Sequence, residues 1–173
     1  MRLLLPFILI LLLSNCSEMK PEDYKNTKPI IKIEKYFQGN VKAWGMLQGR
    51  SGEVKRQFVA DMKGEFDGQN LILDEIFIWN DGEKQERRWT IKKVGDNRYE
   101  GTAPDVVGVA KGVSFGSAFK FEYVLLVPYK DKKIKIRFDD WIFKQDEKTA
   151  INKATLTKFG IKVGELTVFF VKD

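Results

Sequence analysis

Two pairs of adjacent carboxylates, Asp74-Glu75 and Asp139-Asp140, interrupt apolar segments of the sequence and are its densest candidates for acid–base chemistry. The chain has no histidine and one cysteine. This composition excludes the Ser-His-Asp triad, the Cys-His pair and metal sites built on histidine, so proton transfer would depend on Asp, Glu, Lys or Tyr. We therefore expect no enzyme activity, no catalytic residue, no metal and no cofactor. An isomerase or hydrolase that uses carboxylates or lysine is the rival class.

Glu75 is expected to point inward, because alternate residues of a strand share a face. It shares its parity with the apolar residues Leu71, Leu73, Phe77 and Trp79. A buried carboxylate requires a partner, and Arg87 or Arg88, on the strand after the Asn80-Asp81-Gly82 turn, is the natural one. Three roles stay open for Glu75: a buried or rim ion pair, a ligand-anchoring or catalytic group, and a solvated carboxylate.

Asp139-Asp140 lies where the parity of the apolar residues switches, which predicts a β-bulge. The charge of the chain is mildly positive, at +6, and its basic residues are spread along the sequence. Such a balance favours an anionic membrane surface or an acidic ligand, and it argues against nucleic acid as a partner.

The elements that would position these residues are β-strands. Apolar and polar residues alternate repeatedly after Gly39, as in the segments 58–66, 106–115, 119–125 and 134–139, and short turn sequences separate about ten such runs. Residues 30–37 have the spacing of one short helix, which Gly39 would end. We predict an all-β fold with a single antiparallel, lipocalin-like barrel of about ten strands. A two-sheet sandwich with a filled core is the alternative.

The N-terminal residues are typical of a bacterial lipoprotein. Arg2 precedes an apolar run at residues 3–13, too short to span a bilayer, and Leu13-Ser14-Asn15-Cys16 resembles a lipobox. We predict a signal peptide over residues 1–15, a lipidated Cys16 with a flexible tether over 16–29, and a barrel domain over 30–173. Ser17 after the cysteine resembles the pattern that directs lipoproteins of Gram-negative bacteria to the outer membrane, so we expect attachment at its periplasmic face. Lys63, Lys120 and other charged residues on the outer faces of the strands argue against a barrel embedded in lipid.

Several motifs resemble one bacterial lipoprotein family. They are Ala43-Trp44-Gly45, Asp74-Glu75-Ile76-Phe77, Arg88-Trp89, the segment 101–108, Asp139-Asp140-Trp141 and Lys158-Phe159-Gly160. Together they resemble the family catalogued as domain of unknown function 3833, over nearly all of the chain after the signal peptide. The resemblance implies a lipoprotein without an assigned activity. It also implies a candidate ligand-binding or structural cluster of polar residues: Glu75, Arg88, Asp105, Asp140, Trp141 and Lys158. A weaker similarity joins residues 36–39 and Trp44 to the opening of lipocalin-like barrels.

We expect the barrel to bind a lipid or another apolar small molecule. An anchor at Cys16 would keep the domain beside lipid, and inward rows such as Phe58-Ala60-Met62 mix large and small apolar residues that suit a cavity wall. A solid-cored scaffold that recruits a protein partner is the alternative, and it would show an exposed apolar patch and no cavity. The sequence does not determine the oligomeric state.

Overall fold

The computed structural model describes residues 19–173, so the predicted signal peptide and Cys16 lie outside the described part of the chain. A 3-10 helix (Pro21–Tyr24) and the helix α1 (Ile33–Tyr36) come first, and α1 falls within the segment predicted to be helical. The strands that follow are β1 (Gly39–Gly49), β2 (Val54–Phe66), β3 (Asn70–Trp79), β4 (Lys84–Lys93), β5 (Arg98–Thr102), β6 (Ala110–Phe115), β7 (Ala118–Tyr129), β8 (Lys132–Lys144), β9 (Thr149–Lys158) and β10 (Ile161–Lys172).

The sheet closes into one barrel. Each strand pairs antiparallel with the next, and β1 pairs with β10 from Val41↔Lys172 to Gly49↔Gly164. This closure confirms the predicted all-β antiparallel barrel, and the two-sheet sandwich is wrong. Within residues 19–173, no helix has the length and apolar character needed to cross a membrane.

Alternation along the strands gives the barrel a buried inner face and an outer face that is mainly polar. In β2, Phe58, Ala60 and Met62 are buried, whereas Asp61 and Lys63 are exposed. This period of two follows from the pleat of a strand, which turns successive side chains to opposite faces. The sequence pattern therefore predicts which side chains point into the barrel.

The end of the barrel at which β1 begins is plugged by the segment that contains α1, and we call it the closed end. Ile33 and Phe37 are buried there. A Cβ atom added to Gly64 would lie 1.9 Å from the Phe37 carbonyl oxygen, so only glycine admits the plug this close to β2. The backbone of Ile31 is bound to the sheet, because its N–H donates to the Gly116 carbonyl and its own carbonyl accepts from Ser114 Oγ, both at 2.8 Å.

Residues 19–29 lie against the outside of the barrel, where the sequence predicts part of a flexible tether. The Tyr24 ring is 6.0 Å from the Trp141 ring and 5.4 Å from the Phe143 ring, and Thr27 Oγ1 lies 2.8 Å from Ser117 Oγ. Tyr24 and Thr27 thus have partners on β8 and beside β7.

The predicted β-bulge at Asp139-Asp140 is wrong. The β7–β8 register runs without a shift through Glu122↔Asp139 and Phe121↔Asp140. The apolar parity switches because Trp141 and Phe143 lie on the outer face of β8 and are covered by Tyr24. Asp140 therefore points into the barrel and Asp139 points outward.

The opposite end, which we call the open end, contains the turns that follow β1, β3, β7 and β9. Because β5 and β6 are short, residues 103–109 complete the wall there between β4 and β7. The Leu126 N–H donates to the Asp105 carbonyl at 2.9 Å, and Val106 forms an isolated bridge with Leu125. The sequence predicts a strand over 106–115, but β6 begins only at Ala110. Val106 and Val107, in the connection before it, pair with β7 and not with β5.

Candidate ligand-binding site

The barrel encloses a cavity of about 510 Å³. Ile33 and Phe37 form part of its lining at the closed end, and the exposed residues Glu83, Pro128 and Val163 line it at the open end. Most of the lining is aliphatic or aromatic, and the volume is in the range of small-molecule sites, about 300–1,000 Å³. The interior is therefore hollow, and the cavity is large enough to hold a small-molecule ligand.

A group of polar residues in the cavity wall, which we call the polar cluster, consists of Glu75 (β3), Arg87 (β4), Asp105 (β5–β6 connection), Tyr123 (β7), Asp140 (β8) and Asn152 (β9). Arg87 Nε donates to both carboxylate oxygens of Asp105 at 3.1 Å, and its Nη2 donates to Oδ2 at 2.7 Å. Arg87 Nη1 lies 3.6 Å from Glu75 Oε2, longer than a hydrogen bond. Asp140 accepts hydrogen bonds from the Tyr123 hydroxyl and, at 3.0 Å, from Asn152 Nδ2.

The strand register explains why these residues meet inside the barrel. Glu75 lies directly opposite Arg87 in the β3–β4 pair, and such cross-strand neighbours share one face of the sheet. Asp74 and Arg88 form the next pair and therefore face outward, where Arg88 Nη2 donates to Asp74 Oδ2 at 2.8 Å. The structure thus separates two ion pairs that are adjacent in sequence.

Burial dominates the electrostatics of the polar cluster. It raises the pKa of Glu75 to about 7, although the Arg87 guanidinium opposes this shift, and the carboxylates of Asp140 and Asp105 add to it. Burial also raises the pKa of Asp140, against the hydrogen bonds from Tyr123 and Asn152. The Tyr123 hydroxyl has a pKa well above its ordinary value, because it is buried beside the Asp140 carboxylate. Glu75 is thus suited to exchange a proton near neutral pH.

The structure brings together three of the residues proposed from the sequence and separates the other three. Glu75, Asp105 and Asp140 belong to the polar cluster. Arg88 is on the outer face with Asp74, and Trp141 is buried outside the barrel, with its ring stacked on Phe143 at 6.0 Å. Lys158 ends β9 at the open end, and its ammonium lies 5.4 Å from the centre of the Phe159 ring.

Three members of the polar cluster were absent from the proposed set. The sequence offers Arg87 and Arg88 as partners for Glu75, and the inward position of Arg87 on β4 distinguishes it from Arg88. Tyr123 shares the inward row of Phe119 and Phe121, so its alternation was already a signal. Asn152 is buried in β9 and carried no such signal, because a polar residue within a strand is more often solvated.

The carboxylates of the polar cluster are not arranged as metal ligands. In the part of the chain that the structure describes, no group of three or more His, Cys, Asp or Glu side chains is placed to hold a metal ion. Glu75 and Asp105 are instead both turned toward the Arg87 guanidinium.

Fold and site together define a closed antiparallel barrel with an apolar cavity and buried polar groups in its wall. The chain belongs to the family described as "Protein of unknown function (DUF3833)", whose profile matches residues 10–172. This match confirms the family resemblance of the sequence motifs. None of the curated proteins compared matches the chain.

Two solved structures have a similar fold. The S-type phycobiliprotein lyase CPES from Guillardia theta has a TM-score of 0.59 at 10% identity, over 83% of this chain and 93% of the lyase. A protein of unknown function from the DUF3598 family of Nostoc punctiforme has a TM-score of 0.62 at 12% identity. That alignment covers 84% of this chain and 51% of the Nostoc protein. These TM-scores show a shared barrel fold, and at such low identities they leave the activity of this chain open.

Proposed function

We propose that the protein is a non-enzymatic binding protein that holds an apolar small molecule, such as an acyl chain, in the barrel cavity. The observation that carries this proposal is the cavity of about 510 Å³ with a mainly apolar lining. A preformed apolar pocket with a few polar groups is the usual form of such a site. The same cavity counts against the solid-cored scaffold.

Native mass spectrometry followed by lipid extraction tests this proposal. Residues 19–173 contain the closed barrel and its plug, so they form the folding unit for the experiment. We expect a co-purifying apolar molecule, and we expect an uncharged apolar fluorescent probe to bind in its place. A barrel that retains no ligand and does not bind the probe would contradict the proposal.

A matched pair of variants on β10 separates cavity binding from adsorption to the surface. Leu166 lines the cavity, whereas Phe169 is exposed on the outer face. Leu166→Trp adds volume inside the barrel and is expected to reduce probe affinity at least tenfold. Phe169→Trp adds similar volume outside and is expected to leave the affinity unchanged. Equal effects of the two substitutions would indicate that the probe binds elsewhere.

We further propose that acylated Cys16 anchors the protein at the periplasmic face of the outer membrane. Two or three acyl chains would hold it stably, because each buried methylene contributes about 0.8 kcal/mol. Metabolic labelling with a radioactive fatty acid, expected in the natural chain and absent in Cys16→Ser, tests the anchor.

A carboxylate-dependent enzyme is the second candidate, favoured by the pKa of about 7 at Glu75. Its other expected groups do not face the cavity, since Asp74 binds Arg88 on the outer face and Lys158 lies at the end of β9. Mass and isomer analysis of a bound ligand before and after incubation distinguishes the two functions. An unchanged ligand supports binding, and a conversion that Glu75→Gln abolishes supports the enzyme.

A further inference from the structure

Most donor groups of the polar cluster already form hydrogen bonds within it. Arg87 directs Nε and Nη2 at Asp105, and its Nη1 faces Glu75 at 3.6 Å. The Tyr123 hydroxyl and Asn152 Nδ2 both donate to Asp140. The Glu75 carboxylate, whose side chain is only 9% exposed, therefore faces the cavity with one long contact to a cation and one neutral donor, the Trp89 side chain.

The charges that line the cavity are mainly negative. The lining contains the carboxylates of Glu75, Glu83, Asp105 and Asp140, and its cations within the described residues are Arg56 and Arg87. Arg56, at the open end, donates to Asp81 at 2.7 Å and to Glu83 at 2.8 Å, and it lies over the Trp79 ring. Both guanidinium groups are thus paired with carboxylates of the protein. An anionic group brought into the cavity would meet carboxylates, and both guanidinium groups already have carboxylate partners, although Nε of Arg56 forms no hydrogen bond.

We propose that the ligand of this cavity is an apolar amine whose ammonium group binds Glu75. The inference rests on the proposed function and names the ligand class of the same site. An ammonium supplies the positive charge that the polar cluster lacks and up to three hydrogen-bond donors for Glu75 and its neighbours. The apolar part of the ligand contacts the aliphatic and aromatic walls. The interior therefore selects the opposite charge from the one that the net charge of +6 suggests for a ligand.

Three ligands with one chain length and different head groups test this inference. Dodecylamine, dodecanol and dodecanoate, each below its micellar concentration, compete with an uncharged fluorescent probe for residues 19–173 at about pH 8. Because the chain length is constant, the apolar contribution is shared and differences report the head group. We expect dodecylamine to bind at least tenfold more tightly than dodecanoate, with dodecanol between them.

Glu75→Gln assigns the preference to one residue. We expect this substitution to weaken dodecylamine at least fivefold and to leave dodecanol unchanged. Glu86→Gln is the matched control, because it removes the same charge from the outer face of β4, where Glu86 pairs with Lys84. We expect it to change neither ligand.

The outcomes separate this inference from the proposed function. If the three ligands bind equally, or if dodecanoate binds most tightly, the proposal that the cavity binds an apolar molecule is retained and the inference that its ligand is an amine is wrong. If neither the probe nor any of the three ligands binds, both proposals fail. The head-group series on the natural sequence decides the inference even if Glu75→Gln does not fold, and circular dichroism reports whether it does.

Discussion

Two buried carboxylates, Glu34 at the closed end and Glu75 in the cavity wall, have opposite surroundings. Glu34 accepts hydrogen bonds from Lys93 Nζ at 3.0 Å and from the Tyr99 hydroxyl at 2.8 Å. Burial alone would raise the pKa of Glu34, but its backbone hydrogen bond, Lys93 and Tyr99 together lower it. Burial raises the pKa of Glu75 to about 7, because it outweighs a long contact to Arg87 and a side-chain hydrogen bond with Trp89, both of which lower that pKa. The barrel thus satisfies one buried carboxylate inside the plug and leaves the other available to the cavity.

A structural carboxylate differs from a candidate binding group in the groups that replace the lost hydration of its charge. A buried charge costs free energy unless protein groups replace its lost hydration. Lys93 and Tyr99 supply that replacement for Glu34, which locks α1 onto β4 and β5. A ligand with a positive charge would supply it for Glu75. Glu75, in the cavity wall, therefore lacks a full set of partners for its charge, whereas Glu34, in the plug, has them.

Removing the cation beside Glu75 should produce the largest effect. Arg87→Met leaves Glu75 and Asp105 without their guanidinium, and breaking a buried ion pair in this way costs about 3–5 kcal/mol. Urea unfolding at neutral pH measures the loss. Arg88→Met, which removes a guanidinium from the outer face of the same strand, is the control and should leave the unfolding midpoint unchanged. Similar midpoints for the two variants would contradict the difference between the inner and outer pairs.

The second-largest effect should be the contribution of Glu75 to the pH dependence of the free energy of unfolding. Because its folded-state pKa of about 7 exceeds the ordinary 4.5, the ionised carboxylate destabilises the folded state. The cost is absent below about pH 4.5 and complete above about pH 7, where it reaches at most about 3 kcal/mol. Arg87, Asp105, Asp140 and Tyr123 are the charged or titratable groups that face it.

Glu75→Gln removes this titration and so measures it. We expect the variant to match the natural sequence in free energy of unfolding at about pH 5 and to exceed it at about pH 8. Chemical unfolding at both values provides the comparison. A variant that is less stable at about pH 8 would show that Glu75 stabilises the folded barrel as an ion.

Glu34→Gln should act in the opposite direction and more weakly. The substitution removes a charged acceptor from Lys93 and Tyr99, which costs about 2 kcal/mol at neutral pH. Since the pKa of Glu34 is lowered, its stabilisation is present above about pH 4.5 and is lost as the pH falls through the folded-state value. Urea unfolding from pH 7 downward should therefore show the two sequences converging. A constant difference at all pH values would indicate lost packing instead of lost charge.

The smallest effect is expected on the outer face beside Glu75. Asp74 and Arg88 form an ion pair exposed to solvent, and such pairs contribute little to stability. Asp74→Asn should leave both the unfolding midpoint and probe binding within error of the natural sequence. A clear loss of binding would show that the outer pair positions Glu75 through the backbone of β3.

Local periodicity is the reason that much of the barrel follows from the sequence. The alternation in β2, β3 and β7 assigns each residue to a face without any knowledge of its partner, and it places Glu75 and Tyr123 inside. Where a covering segment changes the meaning of the pattern, the prediction fails. Trp141 and Phe143 imitate a bulge because Tyr24, more than a hundred residues away in sequence, buries their outer face.

By itself, the sequence determined the strands, their turns, the inward direction of Glu75 and the family, because each depends on neighbouring residues or on whole motifs. Only the tertiary structure decided that the barrel is hollow and that Asp105, Asp140 and Asn152 join Glu75 in its wall. Asp105 reaches Arg87 because the connection between two short strands folds onto β7, and Asn152 meets Asp140 through the β8–β9 register. Such meetings depend on closure of the sheet and on contacts between distant parts of the chain, and no local pattern of residues encodes them.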